Sequence, residues 1–378
     1  MKAKSNLNRL KFIPVSVPLV SSNDIKSINK VLKKGWISSD GPEVKIFENK
    51  FSKKINRKYS IAVSNGTAAL EIAVKALGIG KDDEVIIPNF TIISNALAVI
   101  KQNAKPVLVD CDLKTWNINL NDIEKKINSK TKAIIVTHIY SFANDMDKIL
   151  KICKKHKIFL IEDAAEVLGL KYKNKMCGSF GDLSTFSFYA NKQVTCGEGG
   201  MISTNNLNLY QKCKSLRNLS FGKIQRFNHE DISWNYRMTN IQAALGISQL
   251  ERLDNIVKKK MHIGKYYFQK LSKNKNIYMT PPKISFSKNI YWVVGILIKK
   301  KKILASNVIK KLNDHGIGAR PFFWPMHDQK IFKKMKIFSK KKYPNSSYLG
   351  KYGFYIPSFL KINNSQMNYI ISIINKLI

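Results

Sequence analysis

Short runs of consecutive apolar residues recur through the middle of the chain: Ile61-Ala62-Val63, Val85-Ile86-Ile87, Pro106-Val107-Leu108-Val109, Ala133-Ile134-Ile135-Val136 and Ile158-Phe159-Leu160-Ile161. Each has the length of a strand. Helix-length segments separate them, among them Thr67 to Leu77, Ser94 to Gln102 and Met146 to His156. Strands without polar alternation have to be covered on both faces, so the pattern predicts a mostly parallel sheet between two layers of helices. Ligands on such sheets sit beyond the carboxyl ends of the strands, and the residues that follow each run therefore carry the functional weight.

The texture changes after Thr239. A long helical pattern covers Ile241 to Asn255, with apolar residues at Ile241, Ala244, Leu245, Ile247 and Leu250. A lysine-rich helix, a strand from Tyr291 to Ile298, a helix from Ala305 to Asp314 and a final helix from Gln366 to Leu377 follow. The first 35 residues read as an arm plus a helix, Asn23 to Lys33. The expected division is an arm and helix over 1–35, a large α/β domain over 36–255, and a small α+β domain over 256–378.

Composition narrows the function. With 44% apolar and 10% aromatic residues the chain can bury a substantial core, which excludes wholesale disorder. The formal net charge is +40, but only seven of the 65 basic residues are arginines. The lysines are spread along the chain and arginine, which reads phosphates and bases bidentately, is scarce. A solvated lysine coat is the reading adopted, with no specific nucleic-acid partner, although a cleft would favour acidic small molecules. Five cysteines form no CxxC pair, and the basic start is followed by no signal-peptide apolar core. A cytoplasmic, reducing location with no disulfide framework, metal site or membrane span is expected.

Three segments carry candidate chemistry. Ser64-Asn65-Gly66-Thr67-Ala68-Ala69-Leu70 follows a strand and opens a helix. Such a turn is either a phosphate cradle or simply a well-capped helix start. In Ile161-Glu162-Asp163-Ala164-Ala165-Glu166 a buried strand runs into carboxylates, which call for a cation unless Asp163 is an ordinary helix cap. Thr185-Phe186-Ser187-Phe188-Tyr189-Ala190-Asn191-Lys192 ends a strand and precedes the glycine-rich Gly197-Glu198-Gly199-Gly200. Each is ambiguous alone. In this order they describe a pyridoxal phosphate pocket, with anchors for phosphate, ring nitrogen and aldehyde.

The chain resembles the DegT/DnrJ/EryC1/StrS sugar aminotransferases, of the aspartate aminotransferase-like fold (fold type I). The resemblance rests on these segments together with Gly35 to Pro42, Asn235-Tyr236-Arg237-Met238-Thr239-Asn240-Ile241-Gln242-Ala243-Ala244, Arg320-Pro321-Phe322-Phe323-Trp324-Pro325-Met326-His327 and Ile356-Pro357-Ser358. It implies Lys192 as the Schiff-base lysine and proton shuttle, and Asp163 as partner of the pyridine nitrogen. It places Glu166 near the ring hydroxyl, and Gly66, Thr67 and Ser187 at the phosphate. Asn235 is implied to reach the phosphate of the other subunit's cofactor in a homodimer with shared sites. Trp36, Arg237, Arg320 and His327 become substrate-side candidates, and His138 a residue shaping the site floor.

Within the family, the Gly-Trp-Ile-Ser-Ser and Arg-Pro-Phe-Phe blocks point to amination of a nucleotide-linked 4-keto-6-deoxy sugar, GDP-4-keto-6-deoxymannose foremost. Glutamate is the implied donor and pyridoxamine phosphate the intermediate carrier. UDP- and dTDP-linked keto sugars are the alternative. Relatives that dehydrate the sugar replace the lysine with histidine, and Lys192 argues against that chemistry. A non-catalytic cofactor-binding or nucleic-acid-binding relative would not need the complete Lys, Asp, Ser and Asn set. Two departures stand out: Ile92 occupies a position where relatives often stack an aromatic ring, and Trp324 stands where tyrosine is usual.

Overall fold

The computed structural model describes residues 12–140, 142–222, 224–338 and 341–378. The expected N-terminal arm therefore lies largely outside the described residues. The helix after it spans Ser22–Lys34, with a Ser21/Asp24 capping box at its start and Gly35 at positive φ after its end.

Seven strands build the large sheet: β1 Tyr59–Val63, β2 Glu84–Pro88, β3 Lys105–Val109, β4 Thr131–Thr137, β5 Phe159–Asp163, β6 Leu183–Ser187 and β7 Gly200–Thr204. Their spatial order is β1-β7-β6-β5-β4-β2-β3. Only β7 runs against its neighbours, pairing antiparallel with β1 and β6. The apolar runs fall on β1 to β5, and each is buried on both faces because successive residues enter different cores. Ala62, Ile134 and Leu160 pack with Phe47 and Phe51 of the Pro42–Ile55 helix and with Ile149 of the Met146–His156 helix. Ile61, Ile135 and Ile161 pack on the opposite face with Leu70 and Ile72 of the Gly66–Ala76 helix. The two-residue side-chain period of a strand thus feeds two helix layers at once.

The two helices expected after Thr239 are present, but they meet before Asn255. Asn240–Glu251 ends at Arg252, whose backbone leaves the helical region, and Leu253–Leu271 follows. At the break the Arg252 guanidinium bonds the buried carboxylate of Asp24 at 2.5 Å, beside Ser248 and Gln249. The expected boundary at 255 falls inside the first turn of the second helix. Beyond it, a four-stranded antiparallel sheet, ordered Ile277–Tyr278, Val294–Ile298, Gly353–Ile356 and Arg320–Pro321, packs against the Leu253–Leu271, Ala305–Asp314 and Asn364–Leu377 helices. The strand expected from Tyr291 begins only at Val294, because Tyr291 takes a positive φ of 51°.

An aromatic wedge joins the two sheets. Phe90, Trp116 and Tyr140, from the loops beyond the large sheet, interleave with Trp292 and Phe322 of the C-terminal region. Tyr140 lies 4.8 Å from Phe322 and 5.9 Å from Trp292, centroid to centroid. This wedge forms one side of the space beyond the strand ends.

Candidate active site

Beyond the carboxyl ends of β5 and β6 and the turn after β1 lies one cavity of about 590 Å³. Gly66, Thr67, Asp163, Glu166, Ser187 and Lys192 all line it. The turn after β1 is fixed by Asn65, whose side chain accepts from Ala68 N at 2.8 Å and caps the helix. The next amides, Gly66 and Thr67, belong to the first turn, which has no carbonyls of its own helix to bind. They face the cavity at the positive end of the helix, a site suited to a phosphate. Glycine is required here: a Cβ on Gly66 would come within 2.9 Å of the Ser187 Cβ. The Thr67 and Ser94 hydroxyls pair at 2.8 Å on the same wall.

Asp163 is buried at the end of β5 and aimed into this space. Asn95 Nδ2 donates to its Oδ2 at 3.0 Å and Thr137 Oγ1 at 3.3 Å, while Ala165 N donates to Oδ1 at 3.1 Å. Three neutral donors hold a carboxylate in one orientation without neutralising it, which suits a cationic partner from the cavity.

Its neighbour Glu162 points to the other face and is fully used there. His138 Nε2 meets Oε1 at 2.9 Å, and the backbone amides of Gly178, Phe180 and Gly181 all donate to the same carboxylate. Burial pushes its pKa up, but the His138 and backbone bonds prevail and hold it below the ordinary value. His138, expected to shape the site floor, is bound in this node, its Nδ1 accepting from Asn144 N at 3.0 Å. The Cys177 thiol lies close by, so the group has metal-ligand residue types within 4.8 Å of one another. Its chemistry suits hydrogen bonds instead: the Glu162 oxygens are occupied and burial pushes the Cys177 thiol well up, away from the thiolate a metal needs.

Glu166 and Lys192 are the oppositely charged buried pair of the cavity. Burial raises the Glu166 carboxyl to about 8, against the opposing pull of Lys192 and a 2.8 Å bond from Tyr140 N. Burial likewise lowers Lys192, against the pull of Glu166 and Asp163. The Lys192 Nζ stands 3.7 Å above the centre of the Trp292 ring. An amine with a lowered pKa and an anion-ready cradle fit pyridoxal phosphate, and so does the buried orphan oxygen Asn191 Oδ1 of a cavity-lining residue.

Other expected residues lie outside the cavity wall. Asn235 is exposed and bridges to Asn218, and Arg237 donates to Asn218 Oδ1 at 2.6 Å. Trp36 is 55% exposed. Arg320 is exposed on the C-terminal sheet. The His327 ring is held between Asn89 at 2.9 Å and Ser347 Oγ at 3.2 Å. Phe90, the nearest aromatic to Ile92 in sequence, is buried in the aromatic wedge, and Ile92 itself lines the cavity. Phe323 of the Arg-Pro-Phe-Phe block lines it too, and residues that the motifs did not mark complete the wall: Trp292, Tyr355 and Glu71. Nothing in their local sequence distinguishes them from core or surface residues.

Comparison with known proteins places this geometry. Residues 18–375 match the DegT/DnrJ/EryC1/StrS aminotransferase family. The GDP-perosamine synthase of Escherichia coli O157:H7 is 39% identical over 372 residues, which covers 97% of this chain and 99% of that one. The GDP-perosamine synthase of Caulobacter vibrioides is 40% identical over 316 residues, 83% and 85% of the two chains. The crystallographic aminotransferase of Psychrobacter cryohalolentis superposes with a TM-score of 0.90 at 27% identity, covering 97% of this chain and 98% of that one. With the lysine, the acid and the phosphate turn in one cavity, the chain belongs to the DegT/DnrJ/EryC1/StrS family and is a pyridoxal phosphate-dependent sugar aminotransferase of the aspartate aminotransferase-like fold.

Proposed function

We propose that this enzyme aminates C4 of GDP-4-keto-6-deoxymannose to give GDP-perosamine, with glutamate as the amino donor. The near-full-length identity to the Escherichia coli GDP-perosamine synthase carries this reading. Bound pyridoxal phosphate supplies an electron sink and, as pyridoxamine phosphate, carries the amino group from donor to sugar. The chain's own residues provide the rest. Gly66 and Thr67 amides and the Ser187 hydroxyl would hold its phosphate, and Asp163 would pair with its ring nitrogen. Glu166 would serve its ring hydroxyl, and Lys192 would hold its aldehyde end and move the proton.

The same proposal includes a homodimer. Asn235 is exposed outside its own chain's cavity, as a residue reaching toward a partner's phosphate has to be. The arm, large and small regions are proposed as 1–35, 36–255 and 256–378. Trp36, Arg237 and Arg320 are assigned to the nucleotide sugar, whose pyrophosphate calls for cationic donors. His327 contributes there by releasing one of its bonds to Asn89 or Ser347.

The test is to incubate the loaded enzyme and glutamate with GDP-, dTDP- and UDP-linked 4-keto-6-deoxy sugars and to weigh the products. A mass gain corresponding to an amine on the GDP sugar, with release of 2-oxoglutarate, is expected. Conversion of only a dTDP- or UDP-linked sugar would overturn the assignment.

A further inference from the structure

Lys192 is held from a direction that the family motifs do not mention. Its Nζ lies 3.7 Å from the centre of the Trp292 ring, and the indole is locked in place because Nε1 donates to Asn191 O at 2.9 Å. That carbonyl belongs to the residue preceding Lys192, so ring face and amine are fixed in register by the same stretch of backbone. The indole also packs against Tyr140 in the aromatic wedge. Trp292 comes from the C-terminal region, two residues before the Val294–Ile298 strand. The amine, five residues past the end of β6, is therefore seated by a side chain of the C-terminal region.

We propose that Trp292 is a positioning residue whose indole face seats the Lys192 ammonium whenever that amine is free. The inference rests on the reading of Lys192 as the cofactor lysine. A cation held over an aromatic face away from bulk water is stabilised relative to the neutral amine. Glu166 and Asp163 are the charged groups that act on this amine, and the same cavity is also lined by Glu71, Lys101, Glu198, Tyr189, Tyr236 and Tyr355. Behind it, Lys260 and Lys192 line a second, small cavity. The acids favour the ammonium and burial disfavours it. Trp292 adds to the acids without adding a second base that could take the proton from the wrong side.

The sign of one measurement separates this role from simple packing. Removing a large ring admits water, which would raise the Lys192 pKa toward the ordinary lysine value. Removing a cation–π partner lowers it. In cofactor-free protein, the pH midpoint for acylation of Lys192 by a small amine-reactive ester is read by peptide mass spectrometry in wild type, Trp292→Phe and Trp292→Leu. The midpoint should fall by about half to one unit in Trp292→Leu, giving roughly 3- to 10-fold faster labelling below the midpoint, and by less in Trp292→Phe. A midpoint that is unchanged or rises in both variants overturns the proposal. If Trp292→Leu does not fold, Trp292→Phe decides alone by the same sign. Borohydride treatment of the loaded wild type, followed by peptide mapping, tests the underlying reading separately. Cofactor fixed on another residue removes the Lys192 assignment, whereas cofactor on Lys192 with an unmoved midpoint removes only the role of Trp292.

Discussion

Glu162 and Glu166 leave the same strand end, are both buried, and stand in opposite electrostatic states. Glu162 faces away from the cavity and receives a histidine and three backbone amides, and its carboxyl is held below the ordinary value. Glu166 faces the cavity, takes one backbone donor from Tyr140, and is raised by burial to about 8. Between them Asp163, with three neutral donors, is turned toward the cavity. The difference teaches that burial alone does not make a carboxylate functional. What counts is whether the fold has already spent its lone pairs. Glu162 is a structural node, whereas Asp163 and Glu166 keep capacity for a ligand.

The largest effect should come from breaking the saturated side. Glu162→Gln leaves three amides and His138 facing an uncharged group with an NH₂ of its own, and should cost about 3–5 kcal/mol of unfolding free energy. Denaturant titration checks it. The native pKa of Glu162 is depressed, so its contribution is present above about pH 4.5 and is lost as pH falls through the lower folded value. The variant should accordingly differ least from wild type in acid.

On the cavity side, Asp163→Asn should keep the cofactor, whose phosphate anchors are untouched, while turnover falls roughly 100- to 1,000-fold. Bound-cofactor absorbance and kcat, measured together, separate the two. An equal loss of cofactor would make Asp163 an anchor of the kind Glu162 is.

Glu166→Gln inverts the pH argument. Because the folded carboxyl titrates near 8, the unfolded chain ionises first, and wild type loses stability as pH rises from about 4.5 to 8. In cofactor-free protein the variant should match wild type near pH 4 and become the more stable of the two as pH rises to 8.5, as unfolding midpoints would show. The smallest effect is expected for Asn95→Ala, which removes one of the three donors on Asp163 and should slow turnover roughly tenfold, with KM for the sugar unchanged.

Much of the site was legible because its motifs are local. The cap residue Asn65 and the glycine at 66 are adjacent in sequence, and a strand that ends in Asp163 announces where that carboxylate lies. Ser187 and Lys192 follow another strand end at short range. The helix from Met146 to His156 was readable for the same reason, since its apolar stripe and its Asp145 cap are encoded within a few turns. What failed was whatever depended on a distant partner. The helix boundary after Thr239 was read too late, at Asn255 instead of Glu251, because nothing in the apolar spacing shows that Arg252 meets Asp24. The place of Phe90, the nearest aromatic to Ile92 in sequence, was likewise open until packing against Tyr140 and Phe322 put it in the wedge.

The sequence by itself determined the alternation of strands and helices, the phosphate-ready turn and the order of acid and lysine along the chain. Those follow from backbone preferences and from side chains a few residues apart, whose effects do not need the rest of the molecule. Only the tertiary structure decided which of two neighbouring glutamates is satisfied and which is poised, and that Trp292 stands over Lys192. A carboxyl or amine responds to the burial and donors around it, and those come from Gly178, His138, Asn95 and the C-terminal sheet, which meet the strand end only when the chain has folded.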